Sequence, residues 1–424
     1  MNSQNNSNGK KVLCFTNDTW ESALSQVRLR GPLQAAGFCV MPGNEREECL
    51  VDNLDDVDFV VVQRDFPQFI DLFLFVLNET RNRQIPLVYE IDDLLFYLPE
   101  NHPLQRDENY SKNFIPMLIA ISRADLVTVS TEPLGQYLKQ FNSNVQVMPN
   151  YLDDALWEFQ PVKEKTQNDF PVVIGYIGGS THQSDISMIA NALIRIKSQF
   201  EKKVLFKFFG AEPPQALTSR INMDWQPIIA DYGDYAKAFR YQNIDILISP
   251  LEENLFNQSK SWLKYLEYST LGVPGVFSSG KPYDDIVDHE KTGFLAASED
   301  DWVRCLAALI ETPELRARIA ANAQELVRKN FLLSDHAVEW ADAYGKIGDV
   351  SAKHQEPSFT PLAAQEELLK QFRTQKIIDT QKPIEKNQDL PSLDEKKTVS
   401  IAEARHLIFW KIQKAIKKIF HKGY

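Results

Sequence analysis

The chain has 424 residues, 43% of them hydrophobic and 25% charged, with a formal net charge of −12. That length allows two domains that each bury a core of their own. The acidic balance argues against nucleic acid as the main partner, because phosphate binding needs a basic surface.

Residues 1–11 are polar and lack the apolar core of a signal peptide. The four cysteines (Cys14, Cys39, Cys49, Cys305) form no C-x-x-C pair and read as reduced, mostly buried thiols of a cytosolic protein. Residues 11–16 read as a strand ending in Asn17-Asp18-Thr19, a turn into a helix over 22–36 that Gly37 stops. Residues 58–63 read as a buried strand with Arg64 at its C-terminal end, 67–81 as a helix, and 86–90 as a strand running into Ile91-Asp92-Asp93. The apolar run near 69–77 is far short of the roughly 20 residues that a membrane-spanning helix needs. A 3.6-residue apolar period marks a helix over 113–122, and 125–130, 132–141 and 145–148 follow as strand, helix and strand. Strands alternating with helices predict a parallel, doubly wound sheet with right-handed crossovers. Pro149-Asn150-Tyr151-Leu152-Asp153 breaks the pattern, and the polar residues 160–169 read as an interdomain linker.

A second α/β unit opens with a strand at 172–177, then Gly178-Gly179-Ser180-Thr181-His182, a helix over 186–200 and a strand at 205–209 before Gly210. Residues 244–249 are an apolar run of the kind that makes a buried parallel strand. After a polar loop with Asn254, Asn257 and Gln258, Ser259 is placed to cap a helix whose first turns carry Lys260, Ser261, Lys264 and Glu267. Gly272 and Pro274 close that helix, a strand at 273–278 follows, and helices span 299–311, 313–329 and 334–347, the last with Trp340 and Tyr344. Residues 350–397 are dominated by Gln, Glu, Lys and Pro and read as a linker. Residues 398–424 end the chain as a basic amphipathic helix, with Ile401, Ile408, Ile412, Ile416 and Ile419 on one face and Lys411, Lys414, Lys417 and Lys418 opposite.

Two open α/β domains joined by a hinge turn their strand C-termini toward one cleft, where such sheets bind ligands. The Gly178-Gly179-Ser180 turn suits a phosphate, since glycines let the backbone approach it and the following N–H groups point at it, although an ordinary tight turn reads the same way. Lys260, Lys264 and Glu267 at i, i+4 and i+7 of a helix share a stripe, two cations and one carboxylate for a phosphorylated sugar-bearing ligand; the alternative for Glu267 is a surface pair with Lys260 or Lys264. His182, just after the glycine turn, joins these candidates. In the first half, Glu90-x-Asp92-Asp93 at a strand end suits an acceptor hydroxyl or a general base, with helix capping and metal binding as alternatives. Arg28 and Arg64 suit an anionic ligand or, equally, surface ion pairs.

Glu267-Tyr-Ser-Thr-Leu-Gly272-Val-Pro274 resembles the E-A-x-x-x-G-x-P segment of the family 4 retaining glycosyltransferases (glycosyl transferases group 1) of GT-B fold. Gly175-Tyr176-Ile177-Gly178, Gly210, Thr292-Gly293-Phe294-Leu295 and Leu315-Arg316 occur in that family's order, and Pro149-Asn150-x-x-Asp153 is similar to its hinge. The resemblance implies two Rossmann-like domains facing a cleft, over 1–158 for the acceptor and 170–331 for the donor, with a crossover helix over 332–349. It implies transfer of a sugar, with retention and without metal or other cofactor, from a nucleoside-diphosphate sugar to a glycan or lipid-linked glycan in bacterial surface polysaccharide assembly. Donor binding then falls to Gly178, Gly179, Ser180, His182, Ser261, Lys264 and Glu267, acceptor binding to Arg28, Arg64 and Asp92, and catalysis to Lys260 and Asp93. The chain departs from the family in two ways. The family's first glutamate falls on Ser259, and its Arg–Lys pair after the glycine turn is absent, so Lys260 or Lys264 is expected to stabilise the leaving diphosphate. The family also usually places a histidine of the first domain near the reacting sugar; His102, in an Asn-His-Pro loop, is not counted among the candidates. The basic tail, 400–422, suits the anionic inner face of a membrane or docking on a protein. The rival readings are a glycosyltransferase that acts on a protein acceptor and, from another class, a non-catalytic GT-B subunit that binds a partner protein.

Overall fold

The computed structural model describes residues 9–51, 54–100, 102–106, 110, 113–163 and 170–347, so the tail expected over 350–397 and 398–424 lies outside the described residues. The first sheet holds β1 (Lys11–Phe15), β2 (Cys39–Pro42), β3 (Phe59–Gln63), β4 (Leu87–Ile91), β5 (Leu126–Val129) and β6 (Val145–Val147), in the order β2-β1-β3-β4-β5-β6. The second holds β7 (Val172–Gly178), β8 (Val204–Gly210), β9 (Asp224–Gln226), β10 (Ile246–Ser249), β11 (Gly275–Ser278) and β12 (Phe294–Ala296), in the order β9-β8-β7-β10-β11-β12. Every pairing in both is parallel. Parallel strands need helical crossovers, and those cover both faces of each sheet, so β3 and β7 are buried at every residue and are apolar apart from Gln63 at the end of β3. Of the four thiols expected to be mostly buried, Cys14 and Cys305 are buried, whereas Cys39 and Cys49 are exposed.

The helix expected over 22–36 is not a regular α-helix. Its middle, Gln26–Arg30, is a π-helical turn in which the Gly31 N–H reaches the Gln26 carbonyl, between α-helical pieces Ala23–Ser25 and Gly31–Ala35. Pro32 has no N–H to offer the Arg28 carbonyl four residues back, so an α-helical ladder fails at that point and the wider turn absorbs the mismatch. The helix expected over 186–200 is likewise two, Gln183–Met188 and Ala190–Phe200, broken at Ile189.

The domains are joined twice. The hinge residue Leu152 exchanges backbone hydrogen bonds with Phe331 and Leu333 at 2.8 Å each. Beyond it, the Leu333–Gly345 helix returns to the first domain, where Trp340 and Tyr344 pack with Phe38 and Phe59, and the Tyr344 hydroxyl meets that of Thr128 at 3.2 Å. Among the described residues no helix is long and apolar enough to cross a membrane.

Candidate functional site

The second sheet reverses its direction of winding between β7 and β10, the position where open α/β sheets form a crevice. These two strands pair only at Ile246–Ile174 and Leu247–Gly175 and then part. Tyr268 fills the gap from below, its hydroxyl donating to the Ile177 carbonyl at 2.7 Å and accepting from the Ile177 N–H at 3.2 Å. At the mouth lies the Gly178–Gly179 turn. A Cβ on Gly179 would meet nothing within 4 Å, whereas one on Gly178 would lie 2.6 Å from Lys264 Nζ and 2.7 Å from the Tyr176 hydroxyl. Gly210, at the end of β8, has φ +104° and backs directly onto the Gly178 carbonyl, 2.1 Å from where its own Cβ would be. The turn is therefore open toward the cleft and packed tightly on the other side.

Lys264 donates to the Tyr176 hydroxyl at 2.9 Å and lies over its ring. Burial, reinforced by the neighbouring charge of Lys260, pushes Lys264 down to about 7. His182 is pushed down to about 3 by burial and by both lysines, so it is neutral at physiological pH, and its Nδ1 donates to Asp185 Oδ2 at 2.7 Å. Asp185 is kept below the usual carboxylate range: burial opposes this, but the His182 hydrogen bond and the Glu252 N–H outweigh it. Its other oxygen accepts from Glu252 N at 2.8 Å and Asn257 Nδ2 at 3.0 Å, which ties the 250–258 loop to the helix after the glycine turn.

The helix bearing Lys264 and Glu267 begins later than expected, at Leu263, and Lys260 and Ser261 lie in the turn before it. Ser259 does not cap it. The Asn254 side chain, accepting from Asn257 N at 2.9 Å, starts a short separate helix, Leu255–Gln258, and Ser259 ends that one with its hydroxyl donating to the Leu255 carbonyl at 2.8 Å. Asn254 caps well because its carbonyl reaches the free N–H of the first turn, and this shifts the whole segment's register. Glu267 is buried and accepts from the Tyr232 hydroxyl at 2.6 Å. Burial pushes it up to about 7 against the opposing effects of that bond and of Lys264. The surface ion pair considered for Glu267 is thereby excluded.

The first domain presents Arg64, Asp92, Asp93 and His102. Arg64 has φ +46°, left-handed for a residue with a side chain, and is held there by its N–H on the Glu90 carbonyl (2.8 Å) and its carbonyl on the Tyr89 hydroxyl (2.7 Å). Such strain persists only where the surroundings over-determine it. Its guanidinium lies 3.2 Å from Asp92, and burial raises the Asp92 carboxyl above its usual range despite that cation. Asp93 is held below its usual range, burial being outweighed by the charges of Lys260, Arg64, His182 and His102. Among the described residues no group of three or more metal-ligating side chains is gathered to hold a metal ion. His102, set aside in the sequence, belongs here: it is buried edge-on to Phe256 of the second domain at 5.3 Å, and burial and Lys260 push it down to about 4. Its Nδ1 accepts from Leu104 N at 3.3 Å, so Nε2 carries the proton.

Arg28 is a correction. It is neither at the open cleft nor in a surface pair: with 2% exposure it donates to Glu90 at 2.7 Å, to the Met148 carbonyl at 2.7 Å and to Asn150 Oδ1 at 2.6 Å. The strand-end carboxylate Glu90 is taken up by it and by Gln63 Nε2 at 2.9 Å. Sequence reasoning also missed Tyr232, Tyr268 and Phe256, whose partners lie far away along the chain. The Tyr268 signal was present, a tyrosine directly after the key glutamate, but aromatic residues in such positions more often pack in a core.

Comparisons with known proteins agree with this architecture. Residues 171–312 match the family model described as Glycosyl transferases group 1. Sucrose-phosphate synthase (tll1590) from Thermosynechococcus elongatus superposes with a TM-score of 0.56 at 14% identity, covering 80% of this chain and 99% of its own. Anabaena Alr3699/HepE, solved in complex with UDP-glucose, gives 0.54 at 15% identity over 78% of this chain and 99% of its own. A glycosyltransferase from Rickettsia africae ESF-5 gives 0.52 at 13% identity over 82% and 100%. No curated protein matches the sequence. At these identities the likeness establishes the fold, GT-B, and the second domain carries the group 1 pattern.

Proposed function

We propose that this protein is a glycosyltransferase that moves a sugar from a nucleoside-diphosphate sugar to a hydroxyl of a glycan or lipid-linked glycan. The observation that carries the reading is Lys264 at the Gly178–Gly179 turn, with Lys260 and His182 near enough for their charges to act on one another, within the segment that follows the group 1 pattern. Two lysines at a water-poor turn are what a leaving diphosphate needs, since charge that develops there is worth more in a low-dielectric site. The UDP-glucose complex of HepE supports a UDP-sugar as the first donor to try. In this reading Gly178, Gly179 and Ser180 receive the diphosphate, and Ser261 and His182 orient it. Glu267, braced by Tyr232, accepts from the ribose hydroxyls. Asp92 and Arg64 bind the acceptor. Asp93, which shares a desolvated acidic pair with Asp92, serves as the catalytic carboxylate. Retention, independence of metal, a role in bacterial surface polysaccharide assembly and attachment of 400–422 to the inner face of a membrane complete the proposal; these come from the family resemblance and the sequence of the tail.

The test is thermal stabilisation of wild type and Glu267→Ala by UDP, GDP, dTDP and ADP, followed by nucleotide release from the matching sugar donor. A ligand at 100 times its Kd stabilises by about 2.7 kcal/mol. One nucleotide stabilising wild type but not the variant supports the donor site; no shift with any nucleotide overturns it. A second reading, a donor-binding subunit without turnover, has one observation in its favour. Ser259, where the family carries a carboxylate, is buried and bonded to its own helix. Binding with no release of nucleotide under any acceptor would favour it. Full turnover by Lys260→Ala would remove that lysine from the mechanism.

A further inference from the structure

A buried chain of hydrogen bonds runs from the first strand of domain one to the lysine turn of domain two. The Thr16 hydroxyl donates to Gln63 Oε1 at 2.8 Å, Gln63 Nε2 to Glu90 Oε2 at 2.9 Å, and Arg28 Nε to Glu90 Oε1 at 2.7 Å. Arg28 Nη1 then donates to Asn150 Oδ1 at 2.6 Å, and Asn150 Nδ2 to the Ser261 hydroxyl oxygen at 2.7 Å. Thr16, Gln63, Glu90, Arg28 and Asn150 are all at most 5% exposed. The direction of this chain is fixed by charge. An arginine can only donate, so the amide of Asn150 must turn its oxygen to Arg28 and its NH2 to Ser261. Ser261 accordingly uses a lone pair on Asn150, and its own proton is left to point elsewhere. The same turn has a second tether to domain one, Thr131 Oγ1 donating to the Ser259 carbonyl at 2.7 Å.

We propose that Asn150 is a positioning residue: held by the buried Arg28, it fixes the Lys260–Ser261 turn against domain one and makes the Ser261 hydroxyl a hydrogen-bond donor toward an anionic ligand in the cleft. The hinge thereby sets the polarity of the donor site as well as joining the domains. The ligand class, a nucleoside diphosphate, rests on the function proposed above; the tether itself does not.

The discriminating substitution is Asn150→Asp. Its carboxylate still accepts from Arg28, so the fold keeps its buried ion pairing, but the second oxygen now accepts from Ser261 and turns the serine's lone pairs to the cleft. Full-length wild type, N150D, S261A and the double variant are titrated with UDP, and exchange of the 260–261 amides is followed by mass spectrometry without ligand. The expectation is about tenfold weaker UDP binding for N150D, equivalent to one net hydrogen bond. S261A should weaken binding comparably and the double variant no further, with Tm of N150D within a degree or two of wild type. For the sugar donor, KM rises while kcat changes little. Wild-type affinity in N150D, or effects of the two substitutions that simply add, overturns the proposal. If wild type binds no UDP, the functional reading fails and exchange decides: faster exchange at 260–261 in Asn150→Ala keeps the tether, and unchanged exchange removes it.

Discussion

Replacing Lys264 by Met should make the protein more stable while removing its donor binding. The lysine, ordinarily at 10.5, is held at about 7 by burial and by Lys260. Keeping it in that environment costs the folded state on the order of 4 kcal/mol at neutral pH, by linkage at 1.36 kcal/mol per tenfold change in proton affinity. Met fills nearly the same volume but leaves the buried Tyr176 hydroxyl without its 2.9 Å partner, a loss of roughly 1–3 kcal/mol. The balance is a net gain of about 1–3 kcal/mol, seen as a rise of a few degrees in Tm by calorimetry at pH 7. The sign of its pH dependence follows from the depressed value. Between about 7 and 10.5 the unfolded chain binds the extra proton, so wild type gains stability as pH rises through that window and the advantage of K264M shrinks toward pH 10. Stabilisation by UDP should vanish in the variant, a trade of stability for function. A lower Tm at pH 7, or a gap that does not change with pH, would refute the reasoning.

Gly179→Ala should fold with unchanged Tm, because its Cβ meets nothing, yet weaken UDP in a titration; Gly210→Ala should destabilise by roughly 3 kcal/mol in urea, its Cβ colliding with the Gly178 carbonyl at φ +104°. Glu267→Gln keeps a partner for Tyr232, and its effect should depend on pH. The raised value means that a stabilising contribution present below about 4.5 is lost as pH rises through about 7, so the glutamine variant should match wild type near pH 4.5 and exceed it by roughly 2–3 kcal/mol at pH 8 in urea melts. Arg28→Met leaves the Glu90 carboxylate buried without its cation and should destabilise by about 3–5 kcal/mol; the double variant with Glu90→Gln should recover part of that in the same denaturation assay.

Much of the architecture was legible because it rests on local rules. Short β-branched apolar runs such as 59–62 and 172–177 read as strands covered on both faces, and Gly37, Gly272 and Pro274 end their elements by backbone geometry. The departures were local too, but they turned on competition between neighbours. Asn254 outbid Ser259 as a cap and moved the start of the Lys264 helix, and Pro32 widened a turn that periodicity read as regular. Residue types at the site were equally readable. Glycines at 178, 179 and 210, lysines at 260 and 264 and the carboxylate at 267 stood in recognisable spacing.

Assignment of tasks among those residues was decided by the tertiary structure. Arg28 and Glu90 lie 62 positions apart and neutralise each other, His102 stands against Phe256, and Tyr232 closes on Glu267. Periodicity and propensity report how a residue relates to neighbours within a few turns of its own chain. Burial of a charge, and the identity of the group that compensates it, depend on which distant segments the sheets bring together. The sequence therefore determined two doubly wound domains and the chemistry available to the cleft between them. Only the packed structure decided which charges face that cleft, because desolvation acts on a side chain according to what surrounds it in space.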